Sequence, residues 1–238
     1  MLNLSKYLGE ETEAWFTDSG VDFRLPETGD VFTDRQKQAL DEIGIDAGRV
    51  MNIRQVHERN VIRVKEEDCC SLSDGLLEAD GMITDISHVT LAVRTADCVP
   101  VFLYDSAARC IGLVHAGWKS ARQNIASRAV EMMSEMFGAR AQHIKAVFGP
   151  SIHHCCYQVN QEFCDIFPNE VRARDGKWFL DLPSVNRRQL LDSGLCSENI
   201  VDCGRCTCCD ERFFSYRRQG GAAGRHLSLL RLKGRGEG

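Results

Sequence analysis

Three residues of this chain carry side chains that together could hold a transition metal or attack a bond: His57 in Gln55-Val56-His57, Cys98 in Thr95-Ala96-Asp97-Cys98, and His115 in His115-Ala116-Gly117-Trp118. A catalytic zinc takes three protein ligands from His, Cys and carboxylate and keeps a fourth position open to water or substrate. Two neutral imidazoles and one thiolate leave such an ion a residual charge of about +1, enough to attract an anion or to acidify a water. The same set supports a metal-free Cys hydrolase, with Cys98 as nucleophile, His115 as its base and His57 orienting. It also supports a non-catalytic metal-binding protein. The plainest reading is a small apolar cysteine beside two polar histidines.

The elements between these residues decide whether they can meet. Val99-Pro100-Val101-Phe102-Leu103-Tyr104 and Cys110-Ile111-Gly112-Leu113-Val114 are short apolar runs, rich in branched residues, with a turn at Asp105-Ser106 between them. That pattern predicts two buried strands paired as a hairpin. Cys98 then enters the first strand and His115 leaves the second, side by side at one edge of a sheet. Trp118 to Phe137 predicts a helix with Ile125, Ala129, Met132, Met133 and Met136 on one side and Gly138 closing it. The methionines read as core packing at helical spacing. The helix start at His115-Ala116-Gly117 offers unpaired N–H groups to an anion such as phosphate, which makes Gly117 a candidate substrate-binding residue.

At these residues the sequence resembles the YfiH-like family, once described as multicopper polyphenol oxidases (laccases) and now regarded as zinc-dependent purine nucleoside phosphorylases. The resemblance runs from about Gln55 to Arg225. It rests on Gln55-Val56-His57, Ala79-Asp80-Gly81, Thr95-Ala96-Asp97-Cys98, His115-Ala116-Gly117-Trp118, Gly149-Pro150-Ser151-Ile152, Cys155-Cys156-Tyr157 and Phe213-Phe214-Ser215-Tyr216-Arg217-Arg218. It implies a Zn2+ cofactor with metal ligands at His57, Cys98 and His115, and purine nucleosides and phosphate as partners. Adenosine, inosine, guanosine and methylthioadenosine are the implied substrates, with adenosine deamination as a second activity. The implied fold is α+β, packed mixed β-sheets flanked by helices, similar to the cytotoxic necrotizing factor deamidases that use a Cys and a His. Several coppers would need far more histidines than the seven present.

The chain departs from the family pattern at Glu58, Ser120 and His153-His154. All three border the presumed pocket, so they bear on substrate preference. One of His153 and His154 could act on the leaving base; surface histidines are the plainer reading. From Arg217 to Arg235 there are six Arg or Lys and no acid. Arg217 or Arg218 is suited to phosphate, because a guanidinium fork matches its oxygens. On a strand only one of two adjacent residues points inward.

The 238 residues suffice for one large domain, 1–238, with a sizeable core. A net charge of −5 argues against a general nucleic-acid binder. No apolar run reaches membrane-spanning length and the first residues lack a signal pattern, which makes a cytoplasmic location the expectation. Twelve cysteines without that pattern are expected to be mostly reduced. Cys203-x-x-Cys206-x-Cys208-Cys209 could hold a second, structural zinc, but no second ligand pair lies at finger-like distance. The family pattern matches Cys206-Thr207 here without a second metal.

Elsewhere the pattern predicts a strand at Val21–Leu25 and a helix opened by the Thr33/Gln36 capping box. Two strands follow between Val50 and Val64 with His57 near their bend, then a polar loop from Cys69 to Glu78 and a strand at Val89–Arg94. Further strands are expected at His143–Phe148, Trp178–Leu182, Arg212–Tyr216 and His226–Leu230. A short helix before Pro168 and another opened by Pro183 complete the expectation.

Overall fold

The structure is a computed structural model that describes residues 1–27, 30–66, 68 and 76–234. Cys69, Cys70 and most of the expected polar loop lie outside the described residues, as does Arg235.

Two mixed sheets form the centre of the molecule. The first has strands in the order β1 (Leu2–Asn3), β2 (Thr12–Phe16), β14 (His226–Leu232), β6 (Thr90–Thr95) and β3 (Val50–Met51). The second runs β13 (Ile200–Asp202), β9 (Lys145–Phe148), β7 (Val99–Asp105), β8 (Cys110–Ala116), β5 (Gly81–Thr84) and β4 (Val61–Arg63). A small third sheet holds β10 (Gln158–Val159), β12 (Lys177–Leu180) and β11 (Val171–Arg174).

The central strands of the second sheet, β5, β7 and β8, are buried on both faces, which is why their sequences are largely apolar and show no alternation. In β7, Phe102 and Tyr104 turn toward the first sheet and pack with Phe16, Leu91 and Leu230. Val99, Val101 and Leu103 turn the other way, into a cluster with residues of α4 (Ile125–Phe137) and α6 (Leu182–Asp192). Helix α2 (Asp34–Asp41) covers the outer face of the first sheet through Ala39, Leu40, Ala92, Leu227 and Leu229. The expected α+β fold of packed mixed sheets flanked by helices is the one observed. Among the described residues no helix is long and apolar enough to cross a membrane.

Several local expectations hold with their stated causes. Thr33 and Gln36 exchange both capping-box hydrogen bonds at the start of α2. Pro183 lies in the first turn of α6 behind the Asp181 cap, and the short α5 (Phe163–Ile166) ends before Pro168. Three expectations are corrected. The single helix from Trp118 to Phe137 is two, α3 (Trp118–Arg122) and α4, broken where Asn124 takes a left-handed conformation (φ 59°). Asn tolerates that region better than most residues, and the Gln189 side chain donates to the Ala121 carbonyl beside the break. Val21–Leu25 is irregular chain, held by its contacts with the 223–225 segment. Arg212–Tyr216 is not a strand: it is loop that Ser215 caps into the short helix α7 (Tyr216–Gln219). At the other end of the chain, Ser5–Leu8 forms the one-turn helix α1.

Candidate functional site

Strand direction brings the chemistry-bearing residues to one end of the sheet pair. Strands β3 and β6 run parallel in the first sheet, so the chain leaves both at the same end. Each then crosses to the second sheet, entering β4 and β7. The first crossing carries His57 and the second carries Asp97 and Cys98. In the antiparallel β7–β8 hairpin Val99 faces Ala116 and Pro100 faces His115, so His115 returns to where Cys98 began.

The result is a compact donor set. The ligand-capable atoms of His57, Cys98 and His115 all lie within 4.8 Å of one another, and the two imidazoles meet edge to face at 4.8 Å between centroids. His57 and Asp97 have positive φ (63° and 89°), a backbone state that non-glycine residues adopt at a cost and that clusters at functional sites.

Asp80 holds the set in place. Its Oδ1 lies 2.8 Å from His115 Nδ1, at a site where both side chains are buried. Its Oδ2 accepts the backbone N–H groups of Val56 and Glu58 at 3.1 and 2.8 Å, on either side of His57. With Nδ1 engaged, His115 presents Nε2 to the centre, the arrangement typical of metal-binding histidines. Burial alone would raise the Asp80 pKa, but the His115 contact and the Glu58 and His57 amides bring it below the ordinary value.

Electrostatics favour an ionised thiol. Burial pushes the Cys98 pKa up; the His115 charge and hydrogen bonds from His115 and His57 outweigh it and bring the thiol to about 6. Burial likewise pushes His115 down, while the Cys98 thiolate and Asp80 lift it to about 9. The donor chemistry therefore suits a cation. Gly117 adds a steric reason: a Cβ there would stand 3.1 Å from Cys98 Sγ and 3.3 Å from His57 Cδ2. A side chain at this place would crowd two of the three donors. Its N–H is already bonded to Ser120 Oγ at 3.0 Å, and α3 has only five residues, so the expected anion seat is not open at the Gly117 amide.

The set opens into a cavity of about 780 Å³, within the range of small-molecule sites. Its lining includes six cationic side chains, Arg24, Arg54, Arg94, Lys119, Arg217 and Arg225, against one acid, Asp97. That acid is committed to structure: it accepts Thr207 Oγ1 at 2.7 Å, Ser215 Oγ at 3.1 Å and the Arg217 N–H at 2.6 Å. Arg94 is also committed, to Asn52 Oδ1 and the carbonyls of Phe23 and Val31. Arg217 differs, with its guanidinium over the Tyr157 ring at 5.2 Å and no ion pair among the described residues. Arg218 turns away and donates to the carbonyls of Thr207, Cys208 and Phe213. One of the two arginines faces inward as expected, through a helical turn rather than a strand. His153 and His154 do not line the cavity.

Sequence reasoning assigned no role to Asp80 or Asp97, although both stood in quoted motifs. A buried acid one residue before a strand and an acid beside the candidate thiol were the available signals.

A family model described as "Multi-copper polyphenol oxidoreductase laccase" matches residues 20–233. Purine nucleoside phosphorylase YlmD of Bacillus subtilis is 35% identical over 192 residues, 75% of this chain and 69% of that protein. Adenosine deaminase RL5, from an unknown prokaryotic organism, is 33% identical over 206 residues, covering 81% and 78%. The crystal structure of the Bacillus licheniformis hypothetical protein YfiH superposes with a TM-score of 0.85 at 30% identity over 94% of each chain. YlmD from Geobacillus stearothermophilus gives the same TM-score at 27% identity, over 94% of this chain and 93% of that one. With a family model matching residues 20–233 and a shared fold, the chain belongs to the YfiH-like family.

Proposed function

We propose that this chain is a zinc-dependent purine nucleoside phosphorylase that cleaves adenosine, inosine, guanosine or methylthioadenosine with phosphate, and that the same site deaminates adenosine. The observation that carries the reading is a two-His, one-Cys donor set at the base of a cavity lined by six cations and a single, committed acid. Relatives named as purine nucleoside phosphorylase and adenosine deaminase support the substrate class.

His57, Cys98 and His115 would hold the zinc, and the donor set fits it: one thiolate, two imidazoles and an Asp80 brace. When bound, that ion supplies a Lewis acid for an anion or a water at the open position. The remaining work falls to the protein's own groups. Phosphorolysis builds positive charge on the sugar and negative charge on the departing base, so the phosphate must be held against the sugar. Arg217, with no ion pair among the described residues and facing the cavity, positions phosphate by its guanidinium fork. Tyr157 also lines the cavity, a phenol that is protonated at neutral pH and that burial and the Cys98 thiolate make harder still to ionise. Such fixed donors matter most where water is excluded.

The test is chromatographic separation of free base from nucleoside, with and without phosphate, on protein freed of contaminating phosphorylase. Base release should require phosphate and collapse in His57→Ala and Cys98→Ala. Equal cleavage without phosphate, or full activity in Cys98→Ala, would sink the reading. Deaminated product without base release would overturn the reaction class while keeping activation of water.

A second reading, a metal-free Cys hydrolase, draws on one specific observation. Cys98 is brought down to about 6 and His115 up to about 9, the thiolate–imidazolium pairing of a nucleophilic cysteine. Inactivation by iodoacetamide in protein containing no zinc would favour it.

A further inference from the structure

We infer that Cys155, Cys156, Cys206 and Cys209 form a second metal site, a four-thiolate zinc centre that clasps two turns behind the cavity wall. Their sulfur atoms all lie within 4.8 Å of one another, with Cys209 Sγ 3.5 Å from Cys155 Sγ and 3.2 Å from Cys156 Sγ. Tetrahedral zinc with Zn–S near 2.3 Å spaces its sulfurs by roughly 3.8 Å. A disulfide joins two sulfurs at about 2.05 Å. Here four sulfurs crowd one point, and a pairwise bond would leave the crowding of the other two unexplained. Four soft thiolates in that arrangement select zinc or iron, and zinc needs no redox partner.

The topology explains why the two pairs meet. Strands β9 and β13 run parallel with Phe148 beside Asp202, so the segments that follow them emerge together. The first supplies Cys155 and Cys156, and the second supplies Cys206 and Cys209. Ser151 and Cys206 form a bridge, the Thr207 N–H donates to the Ser151 carbonyl at 2.9 Å, and the Cys156 N–H closes its own turn onto His153. The missing second ligand pair of the Cys203–Cys209 run is therefore Cys155-Cys156, about fifty residues earlier. Cys203 is not part of the cluster.

The position gives the centre a task. The first turn leads directly into Tyr157, and the second carries Thr207, which holds Asp97. Asp97 in turn fixes Ser215 and the Arg217 amide. A metal joining the two turns would brace Tyr157 and Arg217 from behind without touching substrate.

Elemental analysis decides it, on full-length protein purified under reducing conditions and equilibrated with zinc. The wild type should hold two zinc ions per chain. Cys155→Ser/Cys209→Ser should hold one, and so should Cys98→Ser/His115→Ala, which spares this cluster. Cobalt loaded into the latter variant should show the intense thiolate-to-metal charge-transfer absorption of four sulfur ligands. A wild type that takes up no zinc, or whose cobalt form lacks the absorption of four sulfur ligands, overturns the inference, and this needs no variant to fold. So does an unchanged zinc count in Cys155→Ser/Cys209→Ser, or mapping of these four cysteines as disulfides in freshly purified protein. The inference stands apart from the proposed activity: two zinc ions with no phosphorolysis would sink that activity alone.

Discussion

Asp80 and His115 form a buried pair, Oδ1 to Nδ1 at 2.8 Å, and the same carboxylate ties down the loop that carries His57. One acid thus orients two of the three candidate ligands. In Asp80→Asn the ring contact weakens and an amide N–H2 competes with the Val56 and Glu58 amides. Zinc affinity should fall roughly 10- to 100-fold, read by competition with a chromogenic chelator. Wild-type affinity in that variant would show that Asp80 does not support a metal centre.

Gly117→Ala isolates the donor set from the fold. The added methyl would meet Cys98 Sγ at 3.1 Å, while the backbone at Gly117 (φ −79°) is one that alanine adopts freely. Turnover and metal content should drop together, with the melting temperature changed by less than about 5 °C, the equivalent of roughly 1–2 kcal/mol. Thermal melts and zinc analysis on the same preparation check this. Full metal and full activity would mean that the crowding is relieved elsewhere.

Arg217 and Arg218 are neighbours with opposite expected phenotypes. Arg217→Ala should raise the KM for phosphate about 10- to 100-fold, the loss expected for charge-assisted hydrogen bonds of roughly 1.5–3 kcal/mol, and leave stability unchanged. Arg218→Ala removes the donor to three carbonyls and should lower the melting temperature instead. Steady-state kinetics against phosphate and calorimetry separate them; a reversal of the two phenotypes would contradict the placement of the side chains.

His226 sets a pH dependence of stability. Burial among Phe16, Phe213 and Phe214 brings its pKa down from 6.5 to about 4, and its Nε2 accepts the Phe214 N–H at 2.7 Å. Between those values the unfolded chain binds a proton that the native chain does not, so stability falls as pH falls through the window. The contribution is complete above pH 6.5, is lost toward pH 4, and is on the order of 3 kcal/mol. His226→Gln keeps an acceptor but takes no proton, and should flatten denaturant-derived stability over pH 4–6.5. An unchanged slope in that variant would remove His226 as the cause.

Local chemistry was legible in the sequence wherever neighbours along the chain decide the outcome. The β7–β8 hairpin follows from two apolar runs around a turn, and its register alone places Cys98 beside His115. The α2 capping box and the Gly138 helix stop likewise depend on residues a few positions apart. Tertiary structure decided what sequence distance hides. His57 reaches the pair because β3 and β6 are parallel and both cross between sheets at one end. Cys155-Cys156 finds Cys206 and Cys209 because β9 and β13 are parallel. Asp80 braces the donor set only because the His57 loop folds over it, and Arg217 faces the cavity because Asp97 and Ser215 wind its segment into a turn. Residue types announced these groups. The parallel pairings that brought them together leave no local pattern in the chain, because the partners' contacts are fixed by the packing of whole sheets.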